Sequence, residues 1–358
     1  MSYQYVSIND KDFDKKLYDA FVEDGVVVIT DVFTKEECYE YATEIISYFE
    51  KFKTGVNAND VSTWTDDKLP PQTRPGLFQN LVSNIPIVWN IRSHKMIRKI
   101  FESIYSSIRK KKVSDFIVSN DAINVRPEIP PFHDLKNPDK ADWPHIDQTM
   151  NEAFYCVQGQ AVLTNTTAAF RASLKSYKIY EQILKYYKIS KNCPTNWLRI
   201  QKNDVAYFKK LLAEIGGSWQ VPIYSEAGSF IIWSSSTIHS AKLQNKPILS
   251  KFFKHKKIPK INKKSTINID KWDGWRCVPY VCYRPREDFS LEELERRKNI
   301  VGNNSTTNHY GTKIFEKKVY KINNPAMLEL VKNPEEVYAL ADGMKPILTD
   351  DQLKLCGF

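Results

Sequence analysis

Apolar and polar residues follow a helical period early in the chain and a two-residue period after about residue 116. Residues 13–23 read as a helix that Asp24-Gly25 breaks, and Val26-Val27-Val28-Ile29 reads as a buried strand. Thr34 opens a capping box with Glu37, starting a helix that runs to about Phe52. Residues 53–76 hold glycine, asparagine, aspartate and three prolines, which predicts a long loop, either a lid or an insertion. Residues 85–108 are largely helical and end in the basic run Arg109-Lys110-Lys111-Lys112, a solvated end that the helix dipole favours.

Beyond that point strands dominate. Residues 116–118 and 122–126 alternate, and residues 127–144 form a proline-rich loop. Further strands are expected at 154–164, 220–223 and 228–233, with helices at 173–187 and 205–214. The tail is expected to be helical at 291–300, 325–331 and 334–341, with a capped last turn at 349–353. Many short strands behind leading helices predict an α+β fold. Its core is a double-stranded β-helix (a jelly roll, cupin-like) with an N-terminal helical buttress and C-terminal helices. Residues 1–315 are expected to make the jelly-roll domain, carrying a lysine-rich insertion at 246–272. Residues 316–358 are expected to be a helical extension packed on it.

Composition changes this picture little. At 358 residues the chain is long enough for a substantial core, and 42% hydrophobic with 26% charged residues is ordinary for a globular protein. The net charge of +10 comes mostly from 40 lysines against 12 arginines, a bias that resembles codon usage more than a nucleic-acid footprint. Six scattered cysteines make no CxxC pair, so a reduced, cytoplasmic compartment is expected. No apolar run approaches the roughly 18 residues of a membrane span, and the first residues lack a signal-peptide core. The sequons at Asn165, Asn303 and Asn304 then read as chance matches.

The chemistry begins at Trp143-Pro144-His145-Ile146-Asp147-Gln148. On an extended strand His145 and Asp147 share one face while Ile146 points into a core. One imidazole and one carboxylate, joined by a second histidine, make the facial triad that suits non-haem Fe(II). The third ligand is His239, 92 residues beyond Asp147 and just past the apolar strand Gly228-Ser229-Phe230-Ile231-Ile232-Trp233.

Together these motifs resemble the phytanoyl-CoA dioxygenase-like group of Fe(II)/2-oxoglutarate-dependent oxygenases. The resemblance runs over roughly residues 13–315. It is carried by Asp24-Gly25-Val26-Val27-Val28-Ile29, Thr34-Lys35-Glu36-Glu37, the HxD segment, Val157-Gln158-Gly159, the His239-Ser240 strand and Trp275-Arg276-Cys277-Val278-Pro279-Tyr280. It implies Fe(II) held by His145, Asp147 and His239, 2-oxoglutarate as co-substrate, and O2. It also implies a hydroxylation that releases succinate and CO2. Arg276 is the implied clamp, because a guanidinium fork matches the planar distal carboxylate of 2-oxoglutarate.

Two departures bear on these assignments. Arg276 lies 37 residues past His239, further than in the group, which makes 246–272 an insertion and Lys251 the rival for the carboxylate. Arg276 is preferred because its flanking strand reads correctly and arginine binds a carboxylate bidentately. Residues 167–173 replace the glycine-rich turn of many relatives, which changes the loop beside the metal. Asn124, Arg126, Gln158 and His309 are candidate substrate contacts, whereas His133 reads as a loop residue and His94 and His255 as exposed. The expected partner is a small-molecule or anionic substrate, and the sequence leaves the oligomeric state open. A rival reading is a catalytically silent jelly roll that binds nucleic acid or another anionic partner through the seven lysines of residues 251–264.

Overall fold

The computed structural model describes residues 3–70, 72–74, 76–79, 81–127, 143–150, 152–165, 169–189, 196–242, 268–303, 305–315 and 346–358. The lysine-rich segment 251–264 with Lys251 and His255 lies outside the described residues, as do His133, Cys193 and the helices expected at 325–331 and 334–341.

In chain order the N-terminal elements are β1 (Tyr5–Ser7), α1 (Phe13–Asp24), β2 (Val26–Thr30), α2 (Lys35–Tyr48), β3 (Leu77–Phe78), α3 (Pro86–Arg92) and α4 (Lys95–Arg109). Next come β4 (Phe116–Val118), β5 (Ile123–Pro127), β6 (His145–Ile146), β7 (Val157–Ala161), β8 (Ala169–Leu174), α5 (Tyr180–Tyr186) and β9 (Leu198–Arg199). The chain continues through α6 (Val205–Glu214), β10 (Ser218–Ile223), β11 (Phe230–Ser234), β12 (His239–Lys242), β13 (Trp275–Pro279) and β14 (Tyr283–Pro285). It closes with α7 (Leu291–Asn303), the antiparallel pair β15 (Thr306–Thr307) and β16 (Ile314–Phe315), and α8 (Asp350–Cys356).

These strands make a mixed α+β molecule with several antiparallel sheets. One sheet runs β1-β2-β11-β7-β14-β4, a second runs β10-β8-β12-β6-β9, and a third runs β13-β5-β3. The chain crosses between sheets at almost every step: β6 is in the second, β7 in the first, β8 in the second, β11 in the first and β12 in the second.

Alternation along each strand decides which side is which. On β2 and β11, Val27, Ile29, Phe230 and Ile232 face the helices and join the core built by Leu17 and Phe21 of α1, Ile45 and Ile46 of α2 and Phe101 of α4. Val26, Val28, Ile231 and Trp233 face the other way and meet Phe170, Ala172, Leu174 and Ile223 of the second sheet. Fully burying such a side chain stabilises by roughly 1.5–3 kcal/mol, so both faces are strongly specified.

Local chemistry sets the boundaries. Thr34 and Glu37 form the reciprocal capping box, with Glu37 N–H donating to Thr34 Oγ1 at 3.1 Å and Thr34 N–H to Glu37 Oε2 at 2.8 Å. Gly25 ends α1 at φ +75°, the left-handed region that favours glycine, and its N–H donates to the Phe21 carbonyl at 2.8 Å.

Several expectations need correction. The single helix expected over 85–108 is two, because His94 caps α4: its Nδ1 accepts from Met96 N–H at 3.3 Å and its ring lies 4.8 Å from that of Phe33. His94 is therefore packed, not exposed, and burial lowers its pKa, which preserves the lone pair that caps. The strand expected over 154–164 spans only Val157–Ala161. The helix expected from 173 starts later, because Phe170, Ala172 and Leu174 alternate inward and hold that stretch in β8. Arg109 and Lys111 are not merely solvated; they pair with Asp288 at 2.9 Å and Glu287 at 2.8 Å.

Candidate metal centre

His145 opens β6 and His239 opens β12, and the two residues are direct partners in the antiparallel register. Opposite residues of neighbouring strands project from the same face with their Cβ atoms about 5 Å apart. The imidazole centroids accordingly lie 4.3 Å from one another. Asp147 follows two residues after His145 on the same side, its N–H donating to the Ser235 carbonyl at 2.9 Å. Its Oδ1 sits 3.4 Å from His145 Nε2 and its Oδ2 3.2 Å from His239 Nε2.

Both imidazoles are turned by their other nitrogen. His145 Nδ1 is 2.9 Å from the Trp143 carbonyl, and His239 Nδ1 is 2.9 Å from the Thr237 carbonyl. With each Nδ1–H donating to its carbonyl, both Nε2 lone pairs are left free for a metal. Adjacent ligands of a six-coordinate ion at about 2.1 Å are about 3 Å apart, close to the spacing found here. The donor set of two nitrogens and one oxygen, all within 4.8 Å of one another and all buried, fits a divalent transition metal with open positions.

Electrostatics prepares the ligands. Burial alone would raise the Asp147 carboxyl, but the adjacent His145 and His309 hold it well below the usual range. Burial, then the neighbouring His145, pushes the His239 pKa down, which favours the neutral imidazole that ligates. The Trp143 ring stacks on His145 at 4.0 Å, with the Arg74 guanidinium 4.4 Å from the Trp143 ring centroid. Trp233 and Phe170 lie 5.4 Å and 5.7 Å from the His239 ring and help exclude water there.

Arg276 faces the same interior. Its strand neighbours Trp275 and Cys277 belong to the helix-side core, so Arg276 and Val278 project the opposite way. Through the Gln160–Tyr280 bridge that face continues to Gln158 on β7. Arg276 is 1% exposed, yet its Nε and Nη2 have no hydrogen-bond partner among the described residues. Arg284, equally buried and with the same two nitrogens lacking a hydrogen-bond partner among the described residues, differs in having the Tyr155 ring at 4.3 Å and the Asp288 carboxylate at 3.8 Å. Leaving buried guanidinium nitrogens without a partner costs free energy.

Asn124 is buried on the Arg276 face with Oδ1 lacking a partner among the described residues, and Arg126 pairs in register with Arg276 while its chain covers Gly76. Gln158 and His309 both reach Asp147: Gln158 Nε2 donates to Oδ2 at 3.1 Å, and His309 Nε2 lies 3.2 Å from it. Sequence reasoning missed Asp121, whose carboxylate binds His309 Nδ1, and Tyr310, whose hydroxyl donates to the Asp147 carbonyl. The one available signal was a carboxylate directly before the strand expected over residues 122–126, a position that demands a partner.

No family model matches the chain. "Ava biosynthesis cluster protein O" from Aspergillus versicolor is 26% identical over 142 residues, 39% of this chain; the match spans 42% of that relative's length. Among solved structures, the hypothetical protein JW0805 from Escherichia coli has a TM-score of 0.55 at 11% identity, covering 99% of this chain and 85% of its own. That likeness is one of fold. The epimerase SnoN, solved with Fe3+, alpha-ketoglutarate and nogalamycin RO, reaches a TM-score of 0.45 at 12% identity, covering 76% of this chain and 84% of its own.

Proposed function

We propose that this chain is an Fe(II)- and 2-oxoglutarate-dependent dioxygenase of the phytanoyl-CoA dioxygenase-like kind, built on a jelly roll and hydroxylating a C–H bond of a small molecule. The repeated crossing of the chain between two facing antiparallel sheets supports the jelly roll. The observation that carries the function is the His145–His239 register pair with Asp147 at 3.2–3.4 Å.

Fe(II), 2-oxoglutarate and O2 together supply the oxidising power for a C–H bond, with succinate and CO2 as by-products. His145 Nε2, His239 Nε2 and Asp147 hold the metal, and the carbonyls of Trp143 and Thr237 fix both rings. Arg276, whose Nε and Nη2 have no hydrogen-bond partner among the described residues, would hold the distal carboxylate of 2-oxoglutarate. Trp143, Trp233 and Phe170 shield the imidazoles from water. A small-molecule substrate is in keeping with the name of the Aspergillus versicolor relative.

Anaerobic loading with Fe(II) and 2-oxoglutarate, then exposure to O2 across substrate classes, tests this reading. Substrate-stimulated succinate release is expected, and His239→Ala should lose both bound iron and turnover. Full retention of iron by that variant would sink the assignment.

A further inference from the structure

The primary centre leaves a second group of polar side chains unexplained: buried Asp121 and Cys282 and partly buried His309, whose donor atoms also lie within 4.8 Å of one another. Asp121 follows β4 and is almost completely buried. Its Oδ2 meets His309 Nδ1, and the opposite nitrogen of the same ring, Nε2, lies 3.2 Å from Asp147 Oδ2. Gln158 Nε2 donates to that same oxygen at 3.1 Å. One carboxylate oxygen of Asp147 is therefore held by two side chains from outside the triad.

The hairpin that carries His309 is fastened where Asp121 begins. Thr307 N–H donates to the Asn120 carbonyl at 2.9 Å, and Asn120 N–H donates to Thr307 Oγ1 at 2.9 Å. Asn84 Nδ2 donates to the Ser305 carbonyl at 2.9 Å, and Tyr310 grips the Asp147 backbone carbonyl. A carboxylate on a short strand end has two soft torsions, and these contacts remove that freedom.

We propose that Asp121 and His309 form a positioning pair that orients the Asp147 carboxylate for the metal, Asp121 aligning the ring and His309 holding Oδ2. This rests on the reading of His145, Asp147 and His239 as the metal centre. His309 is then a positioning residue and not a substrate contact. Cys282 lies beside the pair, its thiol pKa raised by burial while His309 acts to lower it.

Anaerobic titration of the full chain with Co(II), followed by its visible absorption, tests the pair without turnover. Wild type should bind one equivalent. Asp121→Asn, which keeps the shape, and His309→Gln should each weaken binding about 10- to 100-fold, the usual effect of losing an outer partner of a metal ligand. Both should also alter the Co(II) spectrum while leaving the apo melting temperature within a few degrees, which a purely structural role would not do. Equal affinity and an unchanged spectrum in both variants would overturn the proposal and leave the metal centre standing. A second wild-type equivalent lost in Asp121→Asn would overturn it in favour of a second metal site. No Co(II) binding by wild type would remove the centre and the pair together.

Discussion

Single side chains at this centre divide into those that announce themselves and those that do not. His145 and Asp147 carry their own spacing, and His239 follows an apolar strand that the pattern makes plain. Arg276 is a sharper case, because its unpaired buried guanidinium predicts what it is for. Arg276→Ala should weaken 2-oxoglutarate binding by roughly one to several kcal/mol, the scale of a lost charge-assisted pair, with Lys251→Ala doing far less. Calorimetric titration of both variants with Fe(II) present decides it; the reverse order would assign the carboxylate to Lys251. The Asp121–His309 contact was not legible, since 188 residues separate the partners and neither has a local pattern. Gln158 reads in sequence as a candidate substrate contact, and its bond to Asp147 depends on tertiary packing that the sequence does not display.

At the scale of elements, the helices and their caps were readable because capping and turn chemistry are local. The Thr34 box and the Gly25 break appear where expected. Strand β8 was not, because alanine and serine in Ala169–Leu174 disguise a two-residue alternation that only the facing sheet makes decisive. Gly25 matters beyond its helix. Its carbonyl accepts from Ser234 N–H and from Thr237 Oγ1, both at 3.0 Å, and Thr237 in turn holds His239. A Cβ there would stand 2.6 Å from Thr237 Oγ1 and 2.8 Å from Tyr177. Gly25→Ala should therefore cost about 2–5 kcal/mol from backbone strain plus overpacking, read from urea unfolding, and should also loosen metal binding. Asp24 offers a pH test of the same helix end. Burial raises its carboxyl pKa, so the folded state binds the proton more tightly than the unfolded one. Its charged form thus costs stability above the folded pKa, and the cost fades as pH falls toward the unfolded value. Asp24→Asn should melt higher than wild type at pH 7, the gap closing near pH 4; an equal gap at both pH values would refute the burial argument.

For the whole molecule, the centre is assembled from pieces far apart in the chain: β6, β7, the β11–β12 turn, and on the far side β13 and the β15–β16 hairpin. None of the described helices is long and apolar enough to cross a membrane. A metal that binds only the folded arrangement should raise stability by about 2.7 kcal/mol at a concentration one hundred times its dissociation constant. Calorimetric melting with Co(II), and again after chelation, should show a reversible rise and fall. His145→Ala should abolish the shift, and a shift that survives in that variant would place the metal elsewhere. The α+β character was legible at this scale because strand count, turn spacing and the leading helices are additive signals. Sheet order was not, since it depends on which apolar faces meet.

The fastening of Gly25 to the His239 turn, and of His309 to Asp147, has a consequence for how the protein is made. The ribosome releases Gly25 early, whereas His309 follows 284 residues later. At about 5–20 residues per second that gap is roughly 15–60 s. Once Asp147 has been made, it still lacks its Tyr310 and His309 contacts until the hairpin that carries them follows. The surroundings of Asp147 are therefore completed well after the HxD segment emerges.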